Sequence, residues 1–450
     1  MKKHVQDFTQ GNLWAQIFKF SLPLMFSNLL QVLFNMADVA VVGQFAGANA
    51  LGSVGSTSIF VVLFTTALIG VAGGMNVLVA QAIGAKRPND IKETVHNSAI
   101  LSFIIGILTM LFGVFYGRFI LELLNTKPKL IDGAVTYVQI YFLGMPALML
   151  YNFGNAVLSA AGDTKRPLKY LSIAGVVNVV LNLILVIVFH LDVAGVAIAS
   201  IVSQYISAFL VLRALVKCQE DYALKLKWKD LKLQRNRAKA ILALGLPSGA
   251  QSAIFQIANL FVQRSVNRFS ATMVAGNSAA ANADGLVYET MAALYTACAC
   301  FIGQNYGAGK KDRILKSYYI SLIYSFGIGA VIGLGILACG KNFLGLFTTD
   351  AAVIEAGMYR LLVMSFSYPI SAFMDNTIAA SRGLGKSVFP TVAVFMGSCV
   401  FRLIWIYTVF EYFETITSLY LLYVFSWSIT AIVEIIYFVK IYREQMRLLS

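Results

Sequence analysis

Twelve apolar runs, each long enough to cross a bilayer, leave this chain few ways to fold. A spanning helix needs about 20 consecutive, mostly apolar residues. The runs cover residues 13–42, 54–82, 96–116, 134–160, 168–190, 193–217, 240–268, 279–304, 314–339, 357–380, 388–410 and 417–440. In lipid, every backbone N–H and C=O must be satisfied inside the segment, so each run is expected as a helix. The alternating pattern of barrel strands is absent. Only 12% of the 450 residues are charged, roughly half the share of a soluble domain. The fold class expected is an all-α membrane protein with twelve transmembrane helices.

The loops between runs alternate in charge. One set comprises the N-terminus, "GAKRPNDIK", "GDTKRPLK", the loop after residue 217, "GAGKKDRILK", "RGLGK" and "KIYREQMR". With the adjacent helix ends it carries 26 Lys and Arg. The opposite set carries six: Arg118, Lys127, Lys129, Arg264, Arg268 and Lys341. Positive loops stay inside, so both termini are expected in the cytoplasm, with the chain in a plasma membrane of the bacterial inner-membrane type. The net charge of +14 is then a topology signal that also attracts anionic headgroups, not a nucleic-acid footprint. The five cysteines form no paired framework and read as small core residues.

The long loop 218–239 divides the chain into 1–217, an N-lobe of helices 1–6, and 240–450, a C-lobe of helices 7–12. The halves share scattered identities in order. At an offset of 224, Pro23 matches Pro247, Asn35 matches Asn259, Phe45 matches Phe269 and Gly52 matches Gly276. At 223, "QAIGAKRPNDI" lies on "QNYGAGKKDRI"; at 221, Asn155 matches Asn376 and Gly162 matches Gly383. Six helices per half is an even number, so both halves enter from one side and the lobes are related by a pseudo-twofold axis along the membrane normal. Parallel repeats of this kind occur in secondary transporters.

The pattern Pro23…Asp38…Gly43 resembles the first helix of the multidrug and toxic compound extrusion (MATE) transporters. So do the Gln-x-x-Gly-Ala turns at 81–85 and 304–308, "AAGDTKRP" after helix 4, the Asn-containing helix 5 and "GVAIAS" in helix 6. The resemblance covers essentially the whole chain. It implies a V-shaped pair of six-helix lobes that export organic compounds in exchange for sodium ions or protons. It also implies an N-lobe cation site at Asp38, with Asn155 on helix 4, Asn178 and Asn182 on helix 5, and Ser200 on helix 6. The family commonly has Asp where this chain has Asn182, which leaves the choice between Na+ and H+ open.

The residues support a site on their own physics. Gln31, Asn35 and Asp38 fall at i, i+4 and i+7, one stripe of helix 1, and Asn178 and Asn182 are also i, i+4. Oxygen-bearing neutral groups around one carboxylate suit a hard monovalent cation or a proton, and the His and Cys of a transition-metal site are missing. Amides and hydroxyls also join transmembrane helices as structural glue. An intramembrane carboxylate is costly and functional by default. In helix 7 the stripe persists as Gln256, Asn259 and Gln263, but Val262 stands where helix 1 has Asp38.

The C-lobe carries Asp284, Glu289, Asp375, Arg402 and Glu434 inside its runs. Arg402 is expected to pair with one of these acids, either in a structural network or in a substrate or proton relay. Glu289 and Asp375 are the preferred contacts for a cationic substrate. There is no phosphate-binding Gly-rich loop and no nucleophile–base or metal constellation, so neither ATP-driven transport nor an enzyme is expected. The chain reads as a cation-coupled antiporter exporting organic, mainly cationic, compounds by alternating access. No organic cofactor is expected, and the partners are a small organic substrate and the lipid bilayer, with the protein a monomer. The alternative is a flippase for lipid-linked saccharides, which shares this architecture. Its anionic cargo would favour several Arg or Lys in the cavity, whereas Arg402 is the only basic residue read as lying well inside the runs.

Overall fold

A computed structural model describes residues 6–218 and 223–448. The chain ends and positions 219–222, within the expected linker, lie outside the described residues. Each of the twelve apolar runs becomes a helix. The first half has α1 (Leu13–Val41), α2 (Gly47–Gly84), α3 (Pro88–Leu123), α4 (the bent pair Pro128–Phe142 and Met145–Ala160), α5 (Lys165–Leu183) and α6 (Asp192–Val216). The second half has α7 (Arg235–Val266), α8 (Ala271–Gly307), α9 (Lys311–Ala338), α10 (Ala351–Gly383), α11 (Val388–Phe413) and α12 (Ile416–Leu448). No strand occurs among the described residues.

Ten of these helices pass as spans on length and apolarity, and α4 is an eleventh if its 44° bend lies within one crossing. At 33 residues α10 is long enough to span. Its apolar character is diluted by Glu355, Arg360, Asp375 and Arg382. Several helices outrun their apolar stretch. α3 starts at Pro88, eight residues before the run, because proline at the first helical position costs no hydrogen bond and presets φ.

The repeat is visible in how helices end. α2, α4, α8 and α10 all close with the same pair of backbone bonds around a residue in the left-handed region. That residue is Gly162 after α4 (φ 89°), Gly309 after α8 (φ 68°) and Gly385 after α10 (φ 82°), where the missing Cβ removes the steric cost. After α2 it is Lys86 (φ 52°), which bears that cost. The turn geometry therefore pairs Gly162 with Gly385, not with Gly383. The helices that follow these turns keep the same offset of 223, starting at Lys165 and Val388.

The described chain forms two compact units. One contains Phe26–Gly249 and the other contains Phe8–Met25 with the residues from Ala250 onward. α1 and α7 therefore each change unit partway along, two residues past Pro23 and Pro247. In the second unit, Phe8 is buried and stacks on Phe301 (3.9 Å between ring centroids). Its N–H donates to Gln304 Oε1 (3.1 Å), and its carbonyl accepts from Arg313 (2.9 Å) and Asn305 (3.3 Å). The Gln of the second Gln-x-x-Gly-Ala turn thus holds the chain before α1. In the first unit, the chain before α7 is held in a comparable way. Arg237 pairs with Asp90 and Glu93, the Gln234 N–H donates to Asn97 (2.7 Å), and the Lys227 N–H donates to His96 Nε2 (3.1 Å).

Candidate functional site

In the first unit α1, α5 and α6 bring Asp38 against Asn182 and Ser200. The Asn182 amide donates to Asp38 Oδ1, and the Ser200 hydroxyl donates to Oδ2 (3.2 Å). Asn182 also reaches Asn178 Oδ1 one turn away (3.4 Å). Asn178, Asn182 and Ser200 are buried, and Asp38 is half-buried. The structure thus gathers four of the five expected residues. The fifth, Asn155 on α4, accepts from Ser159 on its own helix (3.2 Å). Gln31 and Asn35 lie along the α1 stripe, half-buried and exposed, and Gln256 is half-buried on α7.

Close helix approach makes this meeting possible. Phe34, one turn before Asp38, packs over Gly175, one turn before Asn178. A Cβ at Gly175 would lie 1.9 Å from the Phe34 ring. Gly175→Ala is therefore expected to push the ring aside and loosen the α1–α5 seam, at the cost of overpacking, about 1–3 kcal/mol. Thermal unfolding in detergent checks this: a melting temperature at or above the parent's would remove the seam argument.

Sequence reasoning missed two features here. Tyr137 and Tyr141 of α4 stack on each other (5.6 Å between centroids) within electrostatic reach of Asp38. An apolar run dense in aromatics gives no cue that these two face the carboxylate. The second feature is a pair of wider π turns, Val42–Ala46 just past Asp38 and Ile184–Val188 just past Asn182. Such turns occur mostly as single bulges, often at functional sites. Nothing in a run of Val, Ile and Leu announces them.

The oxygen count of the site is unbalanced. Asp38 takes one donor on each oxygen, while Asn182 Oδ1 is buried with no donor. A buried acceptor without a donor normally has a bound partner or a role. A monovalent cation would draw this carbonyl, the carboxylate and the Ser200 hydroxyl around it. A proton on Asp38 would instead turn the carboxyl into a donor toward one of them.

In the second unit the expected pairing of Arg402 with an acid is not found. Arg402 is 1% exposed. It donates to Asn259 Oδ1 (3.0 Å) and Ser426 Oγ (3.3 Å) and lies over the Tyr423 ring (4.7 Å). One of the candidate acids is taken by another arginine. Asp284 pairs with Arg360 of α10, itself 6% exposed, and accepts from the Tyr368 hydroxyl (2.5 Å). Arg360 also donates to Asn277 Oδ1 (2.9 Å), which accepts from the Tyr420 hydroxyl (3.0 Å) as well. Arg360 lies over the same aromatic cluster, 5.5 Å from the Tyr420 and Tyr423 ring centroids. One neutral amide, one hydroxyl and one ring face thus meet Arg402. Arg360 is also buried along α10, so Arg402 is not the one arginine buried among the helices, and a scarcity of basic groups does not argue against a flippase.

The remaining acids form a second cluster. Asp375 and Glu434 are buried within electrostatic reach of Arg382, which donates to Gln251 Oε1 (2.8 Å). Both Glu434 carboxylate oxygens and Asp375 Oδ2 are buried without donors. Glu289, half-buried on α8, shares the neighbourhood of Tyr288 with Asp375.

Comparison with known proteins agrees with this architecture. The family model MatE matches twice, at residues 23–184 and 247–408, with the repeat offset read from the sequence. The chain is 30% identical to "Probable multidrug resistance protein YpnP" of Bacillus subtilis (strain 168), over 84% of each chain. It is 25% identical to "Probable multidrug resistance protein YoeA" of the same organism, over 86% of this chain and 85% of that one. A solved structure described as "Crystal structure of MATE in the straight conformation" superposes with a TM-score of 0.91, covering 99% of both chains at 20% identity.

Proposed function

The chain belongs to the MatE family, a family of transporters, and from that premise we propose that it is a multidrug efflux antiporter that couples inward flow of Na+ or H+ to export of organic, mainly cationic, compounds. The observation that carries the reading is the Asp38 site: a lone carboxylate bridged by Asn182 and Ser200, beside a buried carbonyl oxygen that has no donor. The names of the relatives support drug export over a lipid-saccharide flippase.

Coupling follows from the cost of charge. A bare carboxylate held away from water is expensive, and a bound sodium ion or proton offsets that expense. Without an ion, the Asn182 amide donates to Asp38. With a cation bound, the same amide is better turned, its oxygen toward the ion. Because α1, α5 and α6 each supply one of these groups, ion occupancy biases how the three helices pack. Alternating access then follows by differential binding to two states. Glu289 and Asp375 are the proposed contacts for a cationic substrate. From the charge on the loops, both termini are proposed to be cytoplasmic and the membrane a bacterial-type plasma membrane. The protein is proposed to act as a monomer, with no organic cofactor.

The test is efflux of a cationic dye from proteoliposomes under separately imposed sodium and proton gradients. One gradient is expected to drive efflux and the other to have little effect. Dye movement that follows neither gradient would overturn the antiport reading.

A further inference from the structure

At the positively charged ends of α5 and α6 lies a cavity of about 360 Å3 lined by Arg166, Tyr170, Arg213 and Lys217, with Leu210 at its inner wall. Asp163 neutralises Arg166 through a 2.9 Å ion pair. The exposed Arg213 and Lys217, one turn apart on α6, provide the excess positive charge. An anion fits this charge balance.

A second feature distinguishes a lipid from a free ion. Leu210 also walls a groove of about 360 Å3 that runs down the same face of α6 past Phe209, Ile206, Tyr205 and Val202. The groove is open to the membrane: Phe209 is 62% and Tyr205 49% exposed. Its one polar group, the Tyr205 hydroxyl, is occupied by donating to the Leu143 carbonyl (3.0 Å). From Val202 to Lys217 the helix advances about 22 Å. That matches one leaflet, headgroup region included, of a bilayer roughly 40–45 Å thick. A basic cavity continuous with an apolar groove of leaflet length has the shape of one phospholipid.

We propose that this surface binds a single anionic phospholipid, its phosphate among Arg166, Arg213 and Lys217 and one acyl chain along the α6 groove. Basic pockets between transmembrane helices recognise such headgroups. The lipid joins the ends of the two helices that carry Asn178, Asn182 and Ser200.

The experiment uses the delipidated full chain in detergent, with native mass spectrometry counting bound lipid and thermal melting as the second readout. The probes are phosphatidylglycerol, phosphatidylcholine and glycerol 3-phosphate. One phosphatidylglycerol is expected to be retained about tenfold more strongly than phosphatidylcholine and to raise the melting temperature, while glycerol 3-phosphate does neither. The double variant Arg213→Ala/Lys217→Ala should hold both lipids equally, whereas Lys440→Ala/Arg443→Ala, exposed basic residues on α12 of the other unit, should behave as the parent. Equal retention of the two lipids by the parent overturns the proposal. So does protection by glycerol 3-phosphate alone, or an equal loss in both double variants.

Discussion

Asp38→Asn is expected to bring ion-driven efflux in proteoliposomes down to the rate of empty vesicles, with the protein still folded and still binding substrate. The change keeps the size of the side chain, removes its charge and replaces one accepting oxygen by a donating NH2, so only one of the bonds from Asn182 and Ser200 survives in its present form. At an effective dielectric of about 20, a cation 4 Å from a carboxylate gains about 4 kcal/mol, so losing the charge costs roughly a thousandfold in ion affinity. A proton relay fails as well, because an amide does not take up and release the proton. Asn182→Ala and Ser200→Ala each remove one neutral partner of the carboxylate, so smaller losses are expected from them. The internal repeat argues that the fold will survive. Val262, the counterpart of Asp38 in α7, is 2% exposed inside the apolar core of its unit, so an uncharged residue packs well at the equivalent place. The measurement pairs efflux with substrate binding and melting temperature in detergent. Efflux at the parental rate would remove Asp38 from the coupling mechanism, and loss of binding and fold together would make it a structural residue.

The helices and the N-lobe site were legible for physical reasons. A membrane span needs a long apolar stretch, and a carboxylate within one is rare enough to be noticed. Asp38, Asn182 and Ser200 meet as the family resemblance implies, although Asn182 and Ser200 are 144 and 162 residues from Asp38 in sequence. The reading failed where packing chose among equivalent partners. Arg360 escaped notice because it lies close to the start of an apolar run, where a long side chain is expected to snorkel toward the headgroups. Instead it points inward, between Asp284 and two tyrosine rings. That choice left Arg402 to an amide, a hydroxyl and an aromatic face, and no periodicity distinguishes an amide from an acid as a partner. Asn155 marks the opposite limit: the residue type fits, yet its side chain bonds along its own helix. Side-chain direction at the α4 bend is set by the break at Leu143 and Gly144, which composition does not place.

The Arg360 network separates scaffold from transport in the second unit. Arg360→Met is expected to destabilise the protein by about 2–3 kcal/mol, below the typical cost for a fully buried pair, because the partner Asp284 is only half-buried. Here the orphan is Asp284, which keeps only the Tyr368 hydroxyl, while the Asn277 carbonyl loses one of its two donors. Asp284→Asn should cost less than Arg360→Met, because an arginine beside two ring faces and an amide retains favourable contacts. The double variant Arg360→Met/Asp284→Leu removes both charges and should recover most of the melting temperature, since apolar replacement of a buried pair is often neutral or better. Melting temperature and dye efflux measured on the same samples give the separation. Recovery of both in the double variant assigns the pair to the scaffold; recovery of stability without efflux assigns Asp284 or Arg360 a direct part in transport. An Arg360→Met protein that melts with the parent would show that the pair contributes nothing to the fold, and the network would then have to be explained by transport alone.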